Sequence, residues 1–111
     1  YTKAVKTDGT IWCWGEGGQG QIGNGSNSDR SSPVQVGALT TWLQVGGAYA
    51  STLAVKTDGT LWGWGRNNSG QLGDGSVSQR NSPIQVGGLT TWYEVSDNSN
   101  MTSSVFGTIV Q

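Results

Sequence analysis

A fifty-residue internal repeat constrains this chain more than any other feature. Ala4-Val5-Lys6-Thr7-Asp8-Gly9-Thr10 recurs unchanged as Ala54-Val55-Lys56-Thr57-Asp58-Gly59-Thr60, and the offset of 50 holds without a gap from Ala4–Val45 to Ala54–Val95. Of these 42 aligned positions 27 are identical, and Ile11/Leu61, Ile22/Leu72 and Val34/Ile84 are mild exchanges. Duplication at this period points to stacked supersecondary units, because one such unit cannot bury its apolar surface alone.

Each copy has the same internal grammar. An alternating segment (Leu53-Ala54-Val55-Lys56) meets Asp58-Gly59, and a second one follows (Thr60-Leu61-Trp62-Gly63-Trp64). Asp-Gly between alternating segments predicts a hairpin with a tight primed turn, which needs positive φ. Period 2 places Trp62 and Trp64 on one face and Leu61 and Gly63 on the other. A Gly-rich loop from Gly65 to Gly75 leads through Arg80 and Pro83 to a short strand at Ile84-Gln85-Val86. A further extended segment spans Leu89 to Val95 and carries Trp92. The first copy repeats the scheme with Trp12, Trp14, Pro33 and Trp42. No stretch shows apolar spacing at i, i+3, i+4, i+7 with a plausible cap, so helix is not expected. Four short strands per fifty residues is the content of one propeller blade.

The boundaries follow from this: residues 1–50 form a first repeat that starts inside a strand, and 51–95 form the second. Residues 96–111 form a degenerate partial third repeat or a terminal strand, where Phe106-Gly107-Thr108-Ile109-Val110 echoes Asp58-Gly59-Thr60-Leu61-Trp62. Fewer than about three repeats cannot hide their own faces. The chain is therefore expected to be either part of a longer one or a small subunit covered by other copies or a larger partner.

Composition narrows the chemistry. Nineteen Gly and six Trp suit many turns and a few large packing anchors. The chain has no His, and its single Cys13 cannot form an internal disulfide. A net charge of −1 supplies no basic patch for nucleic acid, and no apolar run is long enough to cross a membrane as a helix.

The run Leu-Ala-Val-Lys-Thr-Asp-Gly-Thr-Leu-Trp-Gly-Trp-Gly, then Gly-Gln-Leu-Gly-Asp-Gly and Pro-Ile-Gln-Val, spans Leu53 to Val86. Ala4 to Val36 matches it in the first copy, with Ile22 in place of the Leu. It resembles the regulator-of-chromosome-condensation repeat, most closely in the style of tandem bacterial or bacteriophage members. The resemblance implies an all-β fold, with about two four-stranded blades of a seven-bladed propeller, and action through loops and faces presented to partners. Exchange-factor activity, known in one branch, is not implied, since no matching loop motif is present.

The structural residues expected are Trp12, Trp14, Trp42, Trp62, Trp64 and Trp92, the turn pairs Asp8-Gly9 and Asp58-Gly59, and the loop glycines Gly20, Gly23, Gly70 and Gly73. No catalytic, metal or cofactor residue is expected. Gly18 to Gly23 matches G-x-G-x-x-G in letters, but Asn24 to Arg30 reads as loop, whereas a dinucleotide site needs a helix there. Asp8, Asp58, Asp74, Asp29 and Glu16 could suggest calcium, yet Asp74 aligns with Asn24, Glu16 with Arg66 and Asp29 with Gln79. Asn24, Asn67 and Asn100 open glycosylation triplets of a kind common by chance in such loops. Positions that differ between copies in the loops, namely Glu16, Asn27, Asp29, Arg66, Val77 and Gln79, are the expected partner contacts.

The function expected is a non-catalytic structural, adhesive or protein-interaction module in an extracellular or virion assembly. Its protein partners would be further repeats, other copies or a larger particle, with no nucleic acid, no membrane insertion and no cofactor. The alternatives are a soluble regulatory binding module and a carbohydrate-binding propeller, since exposed aromatic faces bind sugars.

Overall fold

A computed structural model describes residues 1–98 and 106–109 as strands and connecting turns with no helix. Nine strands follow in order: β1 Thr2–Val5, β2 Ile11–Gly15, β3 Arg30–Gln35, β4 Trp42–Ala48, β5 Ser51–Lys56, β6 Leu61–Gly65, β7 Arg80–Gln85, β8 Trp92–Asn98 and β9 Phe106–Ile109. The first three make one antiparallel sheet, and β7-β6-β5-β4 make a complete four-stranded one. Beside β4 runs β8, parallel over Gly47↔Asp97 and Ala48↔Asn98, and β9 pairs antiparallel with β8.

The sheets are out of phase with a repeat counted from residue 1. Strand β4 comes from the end of the first copy yet forms the inner edge of the second copy's sheet. The described strands thus fall into the three of β1–β3, one whole four-stranded sheet, and the β8–β9 pair. Pro33 and Pro83 lie inside β3 and β7; β7 begins at Arg80, four residues before the strand expected from Ile84. Both strands are sheet edges, where a missing N–H leaves no ladder bond unmade.

The hairpins form as expected, but by a different turn. Gly9 has φ +84 while Asp8 stays at negative φ, Gly9 N donates to the Lys6 carbonyl at 2.9 Å, and Lys6 N donates to the Thr10 carbonyl at 2.9 Å. This is a three-residue loop with a left-handed Gly, not the two-residue primed turn. Asp8 contributes through its carboxylate. Its Oδ1 accepts from Thr10 N at 3.1 Å and Thr10 Oγ1 at 2.6 Å, and Thr10 Oγ1 accepts from Trp12 Nε1 at 2.8 Å. The second copy reproduces this chain of bonds through Asp58, Thr60 and Trp62. That is why Asp-Gly-Thr-x-Trp recurs as a block. The hydrogen bonds from Thr10 and Thr60 hold both carboxyls below the usual range. A Cβ at Gly59 would fall on the Thr90 carbonyl, and one at Gly9 on the Thr40 carbonyl, so the next loop closes directly over each turn.

Two cores lie on either side of the complete sheet. Ile11 and Cys13 of β2, with Ile22 of the β2–β3 loop and Val36 just after β3, pack against Trp42, Ala54 and Trp64 of the second sheet. On the far face Leu53, Val55 and Leu61 pack against Val95, with Val86 and Trp92 beside them. The expected alternation holds, but both faces of β6 are covered.

Candidate partner-binding rim

The strands run between two unlike ends. At one end sit the Asp-Gly turns, with Lys56 Nζ 3.9 Å above the Trp62 ring and Lys6 Nζ 5.0 Å above that of Trp12. At the other end lie the two long loops and the short β4–β5 connection. The two long loops carry Glu16, Asn27, Asp29, Arg66, Val77 and Gln79.

The Gly18–Gly23 stretch makes successive turns, Gly20 N to Gly17 O at 2.9 Å and Gly23 N to Gly20 O at 3.1 Å. No helix starts there, so the geometry of a dinucleotide site is absent among the described residues. Its glycines serve close packing instead. A Cβ on Gly23 would lie 2.5 Å from Trp64 Nε1, and one on Gly20 would strike Asn81 of β7. The Gln21 carbonyl receives Trp64 Nε1 at 2.9 Å and Thr52 Oγ1 at 3.0 Å. Tyr1 adds its hydroxyl, which donates to the Ser51 carbonyl at 2.7 Å. Gly70 and Gly73 keep the same positive φ, +71 and +75, with no such neighbour over them.

The second loop is organised around Asn67, which the sequence reading left among loop residues. Its amide lies fully buried, donating to Asp74 Oδ1, Ser76 O and Ser78 O at 3.0–3.1 Å and accepting from Leu72 N. Arg80 reaches Asp74 at 2.9 Å, with side-chain exposures of 38% and 5%. Burial pushes the Asp74 carboxyl up, but the bonds from Ser76, Arg80 and Asn67 outweigh it and hold the group well below its ordinary value. Buried and bonded on both amide atoms, Asn67 has no accessible nitrogen for a glycan. Its counterpart Gly17 has no side chain, which is why the motif could not be read from the repeat. Asn100 lies outside the described residues.

The six expected contact residues do not form one cluster. Glu16 and Asp29 line a cleft of about 240 Å³ with Gln19, Gln21 and Tyr49. Asp29 also accepts from Gly17 N at 3.0 Å. Arg66 stands across Tyr49, its guanidinium 5.6 Å from the ring centre. Asn27 and Gln79 bond to each other at 3.2 Å across the junction between the sheets, and Val77 projects with 67% exposure. Sequence reasoning missed Tyr49, which stands 52% exposed as the one non-glycine at positive φ (+27) among the described residues. The available signal was a large aromatic in the small-residue run Gly46-Gly47-Ala48-Tyr49-Ala50. The turn is pinned by Arg66 N to the Ala50 carbonyl at 2.9 Å and Ser51 Oγ to the Arg66 carbonyl at 2.7 Å.

A four-stranded antiparallel sheet stacked face to face on a three-stranded one, with its inner strand β4 parallel to β8, defines a segment of a β-propeller. The model of the Regulator of chromosome condensation (RCC1) repeat matches residues 8–55 and 58–97, and the chain belongs to that family. No curated protein matches it in sequence. Among solved structures, human WBSCR16 is 28% identical with a TM-score of 0.75, over 85% of this chain and 25% of that one. Prp20p from Saccharomyces cerevisiae, described with its binding to Gsp1p and histones, is 14% identical with a TM-score of 0.77, over 98% and 29%. Yeast RCC1 (Prp20) bound to Kap60 gives 17%, 0.70, 87% and 26%. The chain thus spans about a quarter of the length of these proteins.

Proposed function

We propose that this chain is a non-catalytic propeller segment that holds a partner protein on its loop-bearing rim. The observation that carries the reading is Tyr49. A bulky side chain in left-handed backbone is costly, and such conformations concentrate at binding positions. Here it exposes an aromatic ring beside Arg66, with the Glu16 and Asp29 carboxylates in the adjoining cleft. Tyr and Arg are the residues on which interface energies most often rest. Related propellers such as Prp20p are described with protein partners, which fits the same use of the fold. Near-neutral charge and Ser/Asn-rich loops suit an extracellular or virion assembly as the setting.

The test is site-specific photo-crosslinking in an extract of the source organism. A crosslinking amino acid at Tyr49 should give discrete adducts. One at Leu39, equally exposed at the opposite end of the strands, should not. Identical adduct patterns from both positions would refute the reading. The cleft's mixture of carboxylate, amide and ring also fits a carbohydrate, and glycan-array binding lost with Tyr49→Gly would favour that alternative.

A further inference from the structure

Both walls of the cleft on the rim belong to one junction. Glu16, Gln19, Gln21 and Asp29 come from the β2–β3 loop, and Tyr49 and Ala50 from the β4–β5 connection. The lining holds two carboxylates and no basic side chain among the described residues. In the second copy Arg66 and Gln79 stand at the positions of Glu16 and Asp29, so the acidic pair is particular to this junction. Neither carboxylate is paired with a basic side chain among the described residues. Asp29 is held in place, because its Oδ1 accepts from Gly17 N at 3.0 Å, and this leaves Oδ2 for an outside donor.

An independent feature points into the same space. Gln21 is only 2% exposed, yet half of its amide is unused: Oε1 accepts from Gln19 N at 2.7 Å, while Nε2 bonds to none of the described residues. The bond from a backbone N–H fixes which amide atom is the oxygen. A buried amide nitrogen without an acceptor is costly, so its place on the cleft wall marks where a ligand oxygen would sit. The remaining wall is aromatic, and the Tyr49 ring already draws one guanidinium, that of Arg66, to 5.6 Å from its centre. A volume of about 240 Å³ suits one long side chain and not a whole element.

We propose that this cleft receives an arginine side chain of the partner protein. The guanidinium lies against the Tyr49 ring and gives its N–H groups to the Glu16 carboxylate and to Asp29 Oδ2. The Gln21 amide nitrogen donates to a main-chain carbonyl of the same partner segment. An arginine suits the site better than a lysine, since its planar fork can bond to carboxylates while it stacks on the ring. The inference rests on the rim reading, to which it adds the chemistry of the residue that anchors the partner.

Saturation-transfer NMR on the intact protein tests it, with the tripeptide acetyl-Gly-Arg-Gly-amide as probe. The arginine methylenes should receive saturation, with a Kd no weaker than about 5 mM that rises with added salt. The lysine peptide should bind about threefold more weakly. The citrulline peptide, which keeps the shape without the charge, should bind at least about tenfold more weakly. Asp29→Asn keeps an Oδ1 acceptor for Gly17 N, and Glu16 is exposed, so Asp29→Asn and Glu16→Gln should both stay folded by circular dichroism. Each should weaken the arginine peptide at least about fivefold, and the double variant should abolish its binding. Glu94→Gln, on β8 outside the cleft, should change nothing. No binding of the arginine peptide, equal binding of the citrulline peptide, or binding that survives the double variant overturns the proposal. The rim reading is judged separately by the crosslinks from Tyr49. Adducts that persist unchanged in the double variant leave the partner on the rim and overturn the arginine anchor, whereas no adducts in the wild type remove both.

Discussion

Gly23→Ala and Gly73→Ala are the same substitution in the same motif, and the structure gives them different outcomes. Both glycines hold left-handed backbone, φ +82 and +75. An L-residue there costs about 1–2 kcal/mol in either copy. At Gly73 the new Cβ first meets Val86 Cγ1 at 3.7 Å, an ordinary contact. At Gly23 it would lie 2.5 Å from Trp64 Nε1 and 2.7 Å from Cδ1. That ring is fully buried and anchored at 2.9 Å on the Gln21 carbonyl, so it has nowhere to go. Overpacking against a fixed ring adds about 1–3 kcal/mol. The expected losses are therefore about 1–2 kcal/mol at Gly73 and about 2–5 kcal/mol at Gly23. Urea unfolding at micromolar concentration, followed by tryptophan fluorescence, resolves this: with a slope near 2 kcal/mol/M, a difference of about 2 kcal/mol moves the midpoint by about 1 M. A second arm repeats Gly23→Ala in a Trp64→Leu background, where only the backbone cost should remain and the coupling should be about 1–3 kcal/mol. Equal losses at the two glycines, or additivity with Trp64→Leu, would show that the indole does not rest on Gly23 as described.

Three further outcomes follow from the same geometry. Trp64→Ala should cost about 3–5 kcal/mol and Trp14→Ala distinctly less, because Trp64 is sealed and Trp14 is partly open; parity in urea unfolding would contradict the burial difference. The Asp74 carboxyl is held low in the folded state, so its stabilisation is fully present above the unfolded value near 3.9 and lost as pH falls from there towards the folded value. Asp74→Asn, the residue that stands at position 24, should flatten stability across pH 2–5 at some cost above it, and an unchanged acid limb would count against the network. Burial pushes the Cys13 thiol up to about 12, so it should resist an alkylating reagent at pH 8 until denaturant is added; rapid labelling of the native protein would contradict its position in the core.

The strands and hairpins were legible because their signals are local. Asp8, Thr10 and Trp12 bond to one another within five residues, and a second copy of the same letters makes the same bonds. The turn type was not legible, since Asp-Gly serves both primed turns and the three-residue loop found here. The rim was legible in part. Divergence between copies led to Glu16, Asp29 and Arg66, but also to Asn27 and Gln79, which bond to each other, and it passed over Tyr49. Asn67 stood in the same divergent loop, yet what distinguishes it is a buried set of carbonyls that only the closed loop brings together.

Taken alone, then, the sequence determined the repeat, the all-β content, the turn positions and the family. Tertiary structure decided what each copy of a residue does. Trp14 and Trp64 share their neighbours in sequence, as do Gly23 and Gly73, but Trp64 and Gly23 are buried against each other across a junction while Trp14 is half-buried and Gly73 exposed. Local hydrogen bonds depend on the residues a few places away, which the repeat duplicates. Burial depends on the sheet packed alongside, which differs at every position in the stack.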